Sequence, residues 1–198
     1  MKKLIATVWL IFLTAIISGI FWHNQFIYAL PTPVPSTYKA VPTGKKIPLD
    51  AALTFKNNRP LFLHFFNPDC ACSRFNIDHF KSLVKEYHGQ VNFAIVVVAS
   101  RPYTAKEIQK RFNIDVPVIS DHTLAIASGV YSTPQAVILN TNQTLYYRGN
   151  YNKTRYCTDQ KTSYAQMAIE SLMHKTGPVK FDRYALTAYG CTLPNCEK

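Results

Sequence analysis

The chain has 198 residues, 47% of them hydrophobic and 17% charged, which suits one ordinary domain with accessories and enough apolar material for a core. The net charge of +11 comes from scattered Lys and Arg, the densest pairs being Lys2-Lys3 and Lys45-Lys46. Nucleic-acid binding calls for clustered basic residues, so the charge reads as solubility and attraction to an anionic membrane surface, with no nucleic-acid partner.

The first element is LIATVWLIFLTAIISGIFW, residues 4–22, which carries no charge. At ~1.5 Å per residue it spans roughly 28 Å, close to the hydrocarbon thickness of a bilayer. A cleaved leader has a shorter apolar core and a small-x-small site, and Ile27 two residues before Ala29 makes a poor one. An uncleaved anchor over residues 1–28 is therefore expected. Lys2 and Lys3 hold the N-terminus in the cytoplasm. This predicts a single-pass inner-membrane protein whose domain faces the periplasm, or a secreted periplasmic protein if the segment is removed. The proline-rich stretch that follows, within residues 29–46, reads as a stiff tether that does not pack.

The domain is expected over residues 47–176. IPLDAALTFKNN, 47–58, reads as a short helix. RPLFLHFFNP, 59–68, is a continuous apolar strand closed by Asn-Pro. In CSRFNIDHFKSLVKEYHG, 72–89, apolar residues recur at three- and four-residue spacing, which predicts a helix. QVNFAIVVVAS, 90–100, is a buried strand. TAKEIQKRFN, 104–113, is a helix opened by the capping box Thr104/Glu107. VPVISD, 116–121, is a short strand, and HTLAIASGV, 122–130, a short helix capped by Asp121. PQAVILN, 134–140, and TLYYRGN, 144–150, form a hairpin across Thr-Asn-Gln. SYAQMAIESLMHK, 163–175, is the last helix. The tail, 177–198, reads as irregular. This order predicts an α/β fold: a parallel core with an antiparallel edge pair.

An exported domain can carry disulfides, and the five cysteines (Cys70, Cys72, Cys157, Cys191 and Cys196) are an odd number, so intrachain pairing leaves at least one out. FFNPDCACS places two of them between a strand and a helix. From the residues alone, the pair could be a redox couple, a metal claw or part of a structural bridge.

These residues resemble the thioredoxin-like superfamily, in its extracytoplasmic redoxin branch. FFNPDCACS stands where that family has Phe-Trp-x-x-x-Cys-x-x-Cys, and VYSTPQAVILNTNQTLYYRGN is similar to its Thr-Pro hairpin. AYGCTLPNC and the lone Cys157 are similar to an uncharacterised membrane-anchored subgroup with CxC in place of CxxC. The resemblance implies a thioredoxin-like fold, a central mixed sheet with flanking helices, preceded here by the transmembrane helix. It implies a nucleophile at Cys70, with Cys72 or Cys157 to resolve it, a cis peptide at Thr133-Pro134 whose backbone receives substrate, and a proton-moving role for His64, six residues before Cys70. A histidine there could titrate near neutrality. No cofactor is implied. Cys191 and Cys196 are candidates for structural disulfides that tie down the tail, and Cys157 could bridge to either of them.

A cysteine in the first turn of a helix feels the positive end of the helix dipole, which favours the thiolate that exchange requires. Cys70 is therefore expected to be held, exposed and ready to ionise, with Asp69 opposing it unless that carboxylate caps the helix. The leading expectation is a membrane-anchored thiol–disulfide oxidoreductase acting on protein thiols or disulfides, with a redox partner the sequence does not name. Two alternatives remain: a Cu(I) metallochaperone using Cys70, Cys72 and Cys157, which suit a soft ion, and a non-catalytic binding module. A thiol peroxidase is weaker, since Asn67 stands where a threonine would be needed.

Overall fold

The computed structural model describes residues 2–154, 156–174 and 179–195. Helix α1 (Lys2–Ala29) is long and apolar enough to cross a membrane, and none of its window over Lys2–Phe26 is buried by the rest of the chain.

A five-stranded sheet of order β3-β2-β1-β5-β6 forms the centre. Strands β1 (Leu61–Phe66), β2 (Asn92–Val97) and β3 (Val118–Ser120) are parallel, while β5 (Gln135–Leu139) and β6 (Leu145–Gly149) run antiparallel on the other side of β1. The parallel strands are joined by crossover helices α2 (Ala71–Tyr87) and α3 (Ala105–Phe112). Helix α4 (His122–Ser128) leads into the two-residue strand β4 (Ser132–Thr133), and α5 (Tyr164–His174) closes the domain. This is the expected mixed sheet with flanking helices, the thioredoxin-like arrangement.

All six residues of β1 are buried, because both faces of the central strand are covered. Alternate side chains enter opposite cores. Phe62 and Phe66 pack with Phe80, Phe93 and Ile169 on one face, and Leu63 and Phe65 with Leu124, Val137 and Leu139 on the other. At roughly 1.5–3 kcal/mol for each large apolar side chain buried, these two layers dominate the fold's stability.

Three expectations are corrected. The helix expected over 47–58 is a single 3-10 turn, Ala51–Leu53, capped by Asp50, whose Oδ1 accepts from Ala52 N at 2.7 Å. The reason is that only Leu53 of that turn is buried, and Ile47 is instead drawn to the sheet edge, its N–H donating to Gln143 O at 2.9 Å. The proline-rich segment does pack. Val41 is buried, Gly44 N donates to Leu145 O at 2.7 Å, and Thr32 is 2% exposed. The tail is not irregular: it forms α6 (Arg183–Leu186) and strand β7 (Cys191–Thr192). Helix α6 seats on the end of β6, where Asn150 Nδ2 donates to Tyr184 O and Thr187 O, each at 2.6 Å, and where a Cβ on Gly149 would collide with Ala185 O.

Arg148 on β6 ties two neighbouring segments to the sheet edge. Its Nη1 donates to Val41 O at 2.9 Å and Ser128 O at 3.1 Å, clamping the linker and the end of α4 to β6. Arg148→Ala is expected to destabilise the domain by about 2 kcal/mol, because two carbonyls lose a charged donor. Chemical unfolding of the two proteins in the same detergent checks this.

Candidate functional site

The site is built at the end of β1. The chain leaves Phe66 and turns through Asn67-Pro68-Asp69. Asn67 shapes that turn: its Oδ1 accepts from Asp69 N at 3.0 Å and its carbonyl from Cys70 N at 3.1 Å. Cys70 is the N-cap of α2, makes no side-chain capping bond, and accepts from Arg74 N at 3.1 Å through its carbonyl. Cys72 is then the second helical residue. Both sulfurs sit at the positive end of a 17-residue helix, a place that favours negative charge.

Asp69 does not cap this helix. It turns toward the loop before α3, where Arg101 Nε lies 3.3 Å from Oδ2 and Tyr103 donates its hydroxyl hydrogen to Oδ1, and toward α3 itself, where Arg111 Nη1 lies 3.9 Å from Oδ1. Partial burial pushes its pKa up, but the Tyr103 and Arg101 hydrogen bonds and the charges of Arg101 and Arg111 outweigh this and hold it below the usual value. Its negative charge is thereby matched away from the cysteines.

The Thr133–Pro134 peptide is cis, as the resemblance implies, and so is Leu193–Pro194. Beside Thr133 the tail arrives. Strands β4 and β7 pair antiparallel, Ser132 with Thr192 and Thr133 with Cys191. This register delivers Cys191 to the other two cysteines. The sulfurs of Cys70, Cys72 and Cys191 lie within 4.8 Å of one another, and Cys191 Sγ donates to Cys72 Sγ at 3.2 Å, a non-bonded separation. Hydrogen bonding with Cys70 and Cys72, then burial, then the neighbouring sulfur charges raise the Cys191 pKa well above that of an ordinary thiol.

Cys191 was expected in a structural disulfide tying down the tail, with Cys196 or Cys157 as candidate partners. It is found in the site instead, and Cys196 lies outside the described residues. A second expectation fails: Cys70 is not exposed. It is 0% accessible and Cys72 5%, because the tail lies across them. Asn67 Nδ2 donates to Pro194 O at 3.0 Å, and Ser100 Oγ donates to Asn195 Oδ1 at 3.0 Å. The linker clamps the same segment, with Thr32 Oγ1 donating to Gly190 O at 2.7 Å.

Cys157 approaches from the segment after the hairpin, as expected, but stands apart from the sulfur cluster. Its Sγ accepts from Asn76 Nδ2 at 3.1 Å, and burial, only partly offset by that bond, pushes its pKa up to about 12. Cys72 and Cys157 share the wall of a cavity of about 230 Å³, together with Asn76, Pro134, Tyr151 and Gly190. Cys70 is not on that wall. Among the described residues, the cysteines grouped closely enough to hold a soft ion are Cys70, Cys72 and Cys191. The set on which the copper reading drew, with Cys157, is not assembled.

His64 is inside the core on the α2 side of β1. Its ring stacks on Phe80, centroids 4.5 Å apart, and Nδ1 lies 2.6 Å from the Tyr151 hydroxyl. Burial lowers its pKa to about 3, so it is neutral at physiological pH and does not titrate near neutrality as expected. Among the described residues its Nε2 has no partner.

Sequence reasoning missed Asn76, Tyr151 and the site role of Cys191. Asn76 stands four residues after Cys72, on the same face of α2, and that spacing was a usable signal. Tyr151 and Cys191 carry none, since each reaches the site through tertiary packing.

Strand order, the helix after β1 and the loop before β5 together define a thioredoxin-like fold, with a cysteine cluster at the start of its first domain helix. Residues 40–193 match the family model described as Domain of unknown function (DUF6436), and the chain belongs to that family. No curated protein matches it by sequence. The fold is similar to that of an uncharacterized conserved protein from Geobacillus kaustophilus, at TM-score 0.64 and 18% identity, covering 82% of this chain and 97% of that one. It is also similar to a hypothetical protein from Sinorhizobium meliloti 1021, at TM-score 0.62 and 15% identity, covering 79% and 96%. A third likeness is to the C-terminal domain of a putative thiol-disulfide oxidoreductase from Bacteroides thetaiotaomicron, at TM-score 0.52 and 12% identity, covering 68% and 98%.

Proposed function

We propose that this protein is a membrane-anchored thiol–disulfide oxidoreductase, held in the inner membrane by α1 with its domain in the periplasm, and that Cys70 and Cys72 exchange with protein thiols or disulfides. The observation that carries this reading is the cluster of Cys70, Cys72 and Cys191 at the N-terminus of α2, beside Thr133 and Pro134. A helix start, thiols in mutual reach and an adjoining cavity are what thiolate attack on a disulfide needs. Cys72 lines the cavity and Cys70 does not, which supports Cys72 as the sulfur that meets an incoming disulfide when the tail opens. The uncharged stretch in α1, with lysines before it, supports the anchor and its orientation.

The test is reduction of a protein disulfide by the reduced full-length protein in detergent micelles. Cys70→Ser/Cys72→Ser should fall at least a hundredfold, to the uncatalysed background, with its thermal unfolding preserved. Unchanged turnover in that double variant would falsify the exchange reading. A reporter fused after Lys198 and active only in the periplasm tests the orientation.

A further inference from the structure

The tail raises a separate question: why does a thiol-exchange site carry its own chain across it? Three observations bear on this. The edge of β4 at Ser132–Thr133 is already paired, by β7. The approach is so close that a Cβ on Gly190 would collide with Thr133 O and lie 2.6 Å from Ser132 Oγ, so a residue without a side chain is required there. The next residue is a cysteine whose sulfur is 3.2 Å from Cys72. A strand added to an edge through its main chain, with one reactive side chain aimed inward, is how an extended peptide is presented to a site. Here the peptide belongs to the protein itself.

We infer that β7 is a tethered exchange partner, and that Cys191 is the thiol that resolves a mixed disulfide formed on Cys72. This rests on the exchange reading above. The Cys72 thiolate attacks a disulfide R–S–S–R′, forming Cys72–S–S–R and releasing R′–S⁻, which takes up a proton. Cys191, losing its proton, attacks Cys72 Sγ. The bond to R breaks and R–S⁻ leaves and is protonated. The substrate disulfide is reduced to two thiols, and Cys72 and Cys191 are oxidised to one disulfide.

The surroundings suit this order. While Cys72 is a thiolate, the Cys191 S–H donates to it and stays protonated. Once Cys72 is in a neutral mixed disulfide, its charge no longer opposes ionisation of Cys191. Cys157 is a poorer resolver. It is outside the sulfur cluster, buried, and held by Asn76.

The experiment uses full-length protein in detergent micelles, reduced, and then exposed to glutathione disulfide at pH 7.5. Adducts are quenched in acid and read by intact and peptide mass. The wild type should show a transient glutathione adduct that decays to a Cys72–Cys191 linkage. Cys191→Ser should hold the adduct at least tenfold longer, and Cys157→Ser should decay like the wild type. Gly190→Ala, which keeps every cysteine but displaces the strand, should also hold it longer.

Several results would overturn the inference: wild-type decay in Cys191→Ser, trapping in Cys157→Ser, a Cys191–Cys196 linkage as the oxidised product, or stoichiometric zinc or copper on the purified protein. If adducts form and only their decay is insensitive to Cys191, the tail idea alone fails. If no variant and no wild type forms an adduct, the exchange reading fails with it.

Discussion

Ending the chain after Ala188 is expected to raise the alkylation rate of Cys70 and Cys72 by about a hundredfold. The segment removed carries the ladder to β4, the Thr32–Gly190 bond, the Asn67–Pro194 bond and the Ser100–Asn195 bond. Each is worth roughly 1 kcal/mol net, less the entropy the released segment regains, which places opening near ~3 kcal/mol. At ~1.4 kcal/mol per tenfold, the sulfurs of the intact chain are open about one per cent of the time or less. Helix α6 remains in the truncated chain, so the cut spares the bonds of Asn150 to Tyr184 and Thr187. The measurement is iodoacetamide labelling of the tryptic peptide holding Cys70 and Cys72, in detergent micelles. Cys191→Ser/Cys196→Ser in the full-length chain is the control. It keeps the main-chain seal and should label within about threefold of the wild type. Equal labelling of truncated and intact chains would mean that something other than the tail seals the site.

The second large effect is on stability against pH, through His64. Its pKa in the folded protein is about 3, set by burial, against an unfolded value of about 6.5. Between those two values the unfolded chain binds a proton that the folded chain does not. Stability therefore rises with pH across this window, is fully present above about pH 6.5, and is lost as pH falls toward 3. The slope is ~1.4 kcal/mol per pH unit, so by pH 4.5 the loss is about 3 kcal/mol. That is a large share of the ~5–15 kcal/mol of an ordinary domain.

His64→Phe keeps an aromatic ring against Phe80 but leaves the Tyr151 hydroxyl without its partner, at a cost of about 1–2 kcal/mol at every pH. The variant should be less stable than the wild type at pH 7.5 and more stable at pH 4.5. Urea unfolding at both values checks this, and parallel curves would show that His64 does not report the pH. In the rate of exchange, by contrast, His64 should produce no inflection near neutrality, because it is not charged there.

The sulfur chemistry and the stability thus meet in one region but draw on different groups. His64 and Tyr151 lie beneath the cavity and act on the folded state as a whole. Cys72 lies at its wall and Cys191 beside it, where the proposed exchange would take place. His64 answers to acid, whereas the proposed exchange would answer to oxidant.

Much of the fold could be read from residue patterns. LFLHFF is continuous and apolar because β1 is covered on both faces, and the spacing in α2 marks the face it buries. Thr104 and Glu107 announced the start of α3, and Thr104 Oγ1 does accept from Glu107 N at 3.2 Å. Asp121 likewise caps α4, its Oδ1 accepting from Leu124 N at 2.9 Å. The long apolar N-terminal helix was legible from its length and lack of charge, and the Cys70/Cys72 pair from its place between a strand and a helix. These are local properties, written within a few turns of chain.

The rest was decided by contacts between distant residues. Nothing near AYGCTLPNC says that it will pair with Ser132–Thr133 and bring Cys191 to Cys72 across 119 positions. Nothing in LFLHFF says that His64 will be stripped of water and lose its proton. Exposure and pKa are set by what the rest of the chain places around a group, and here a short tail strand, held by Gly190 and Thr32, covers what the helix start alone would have left open.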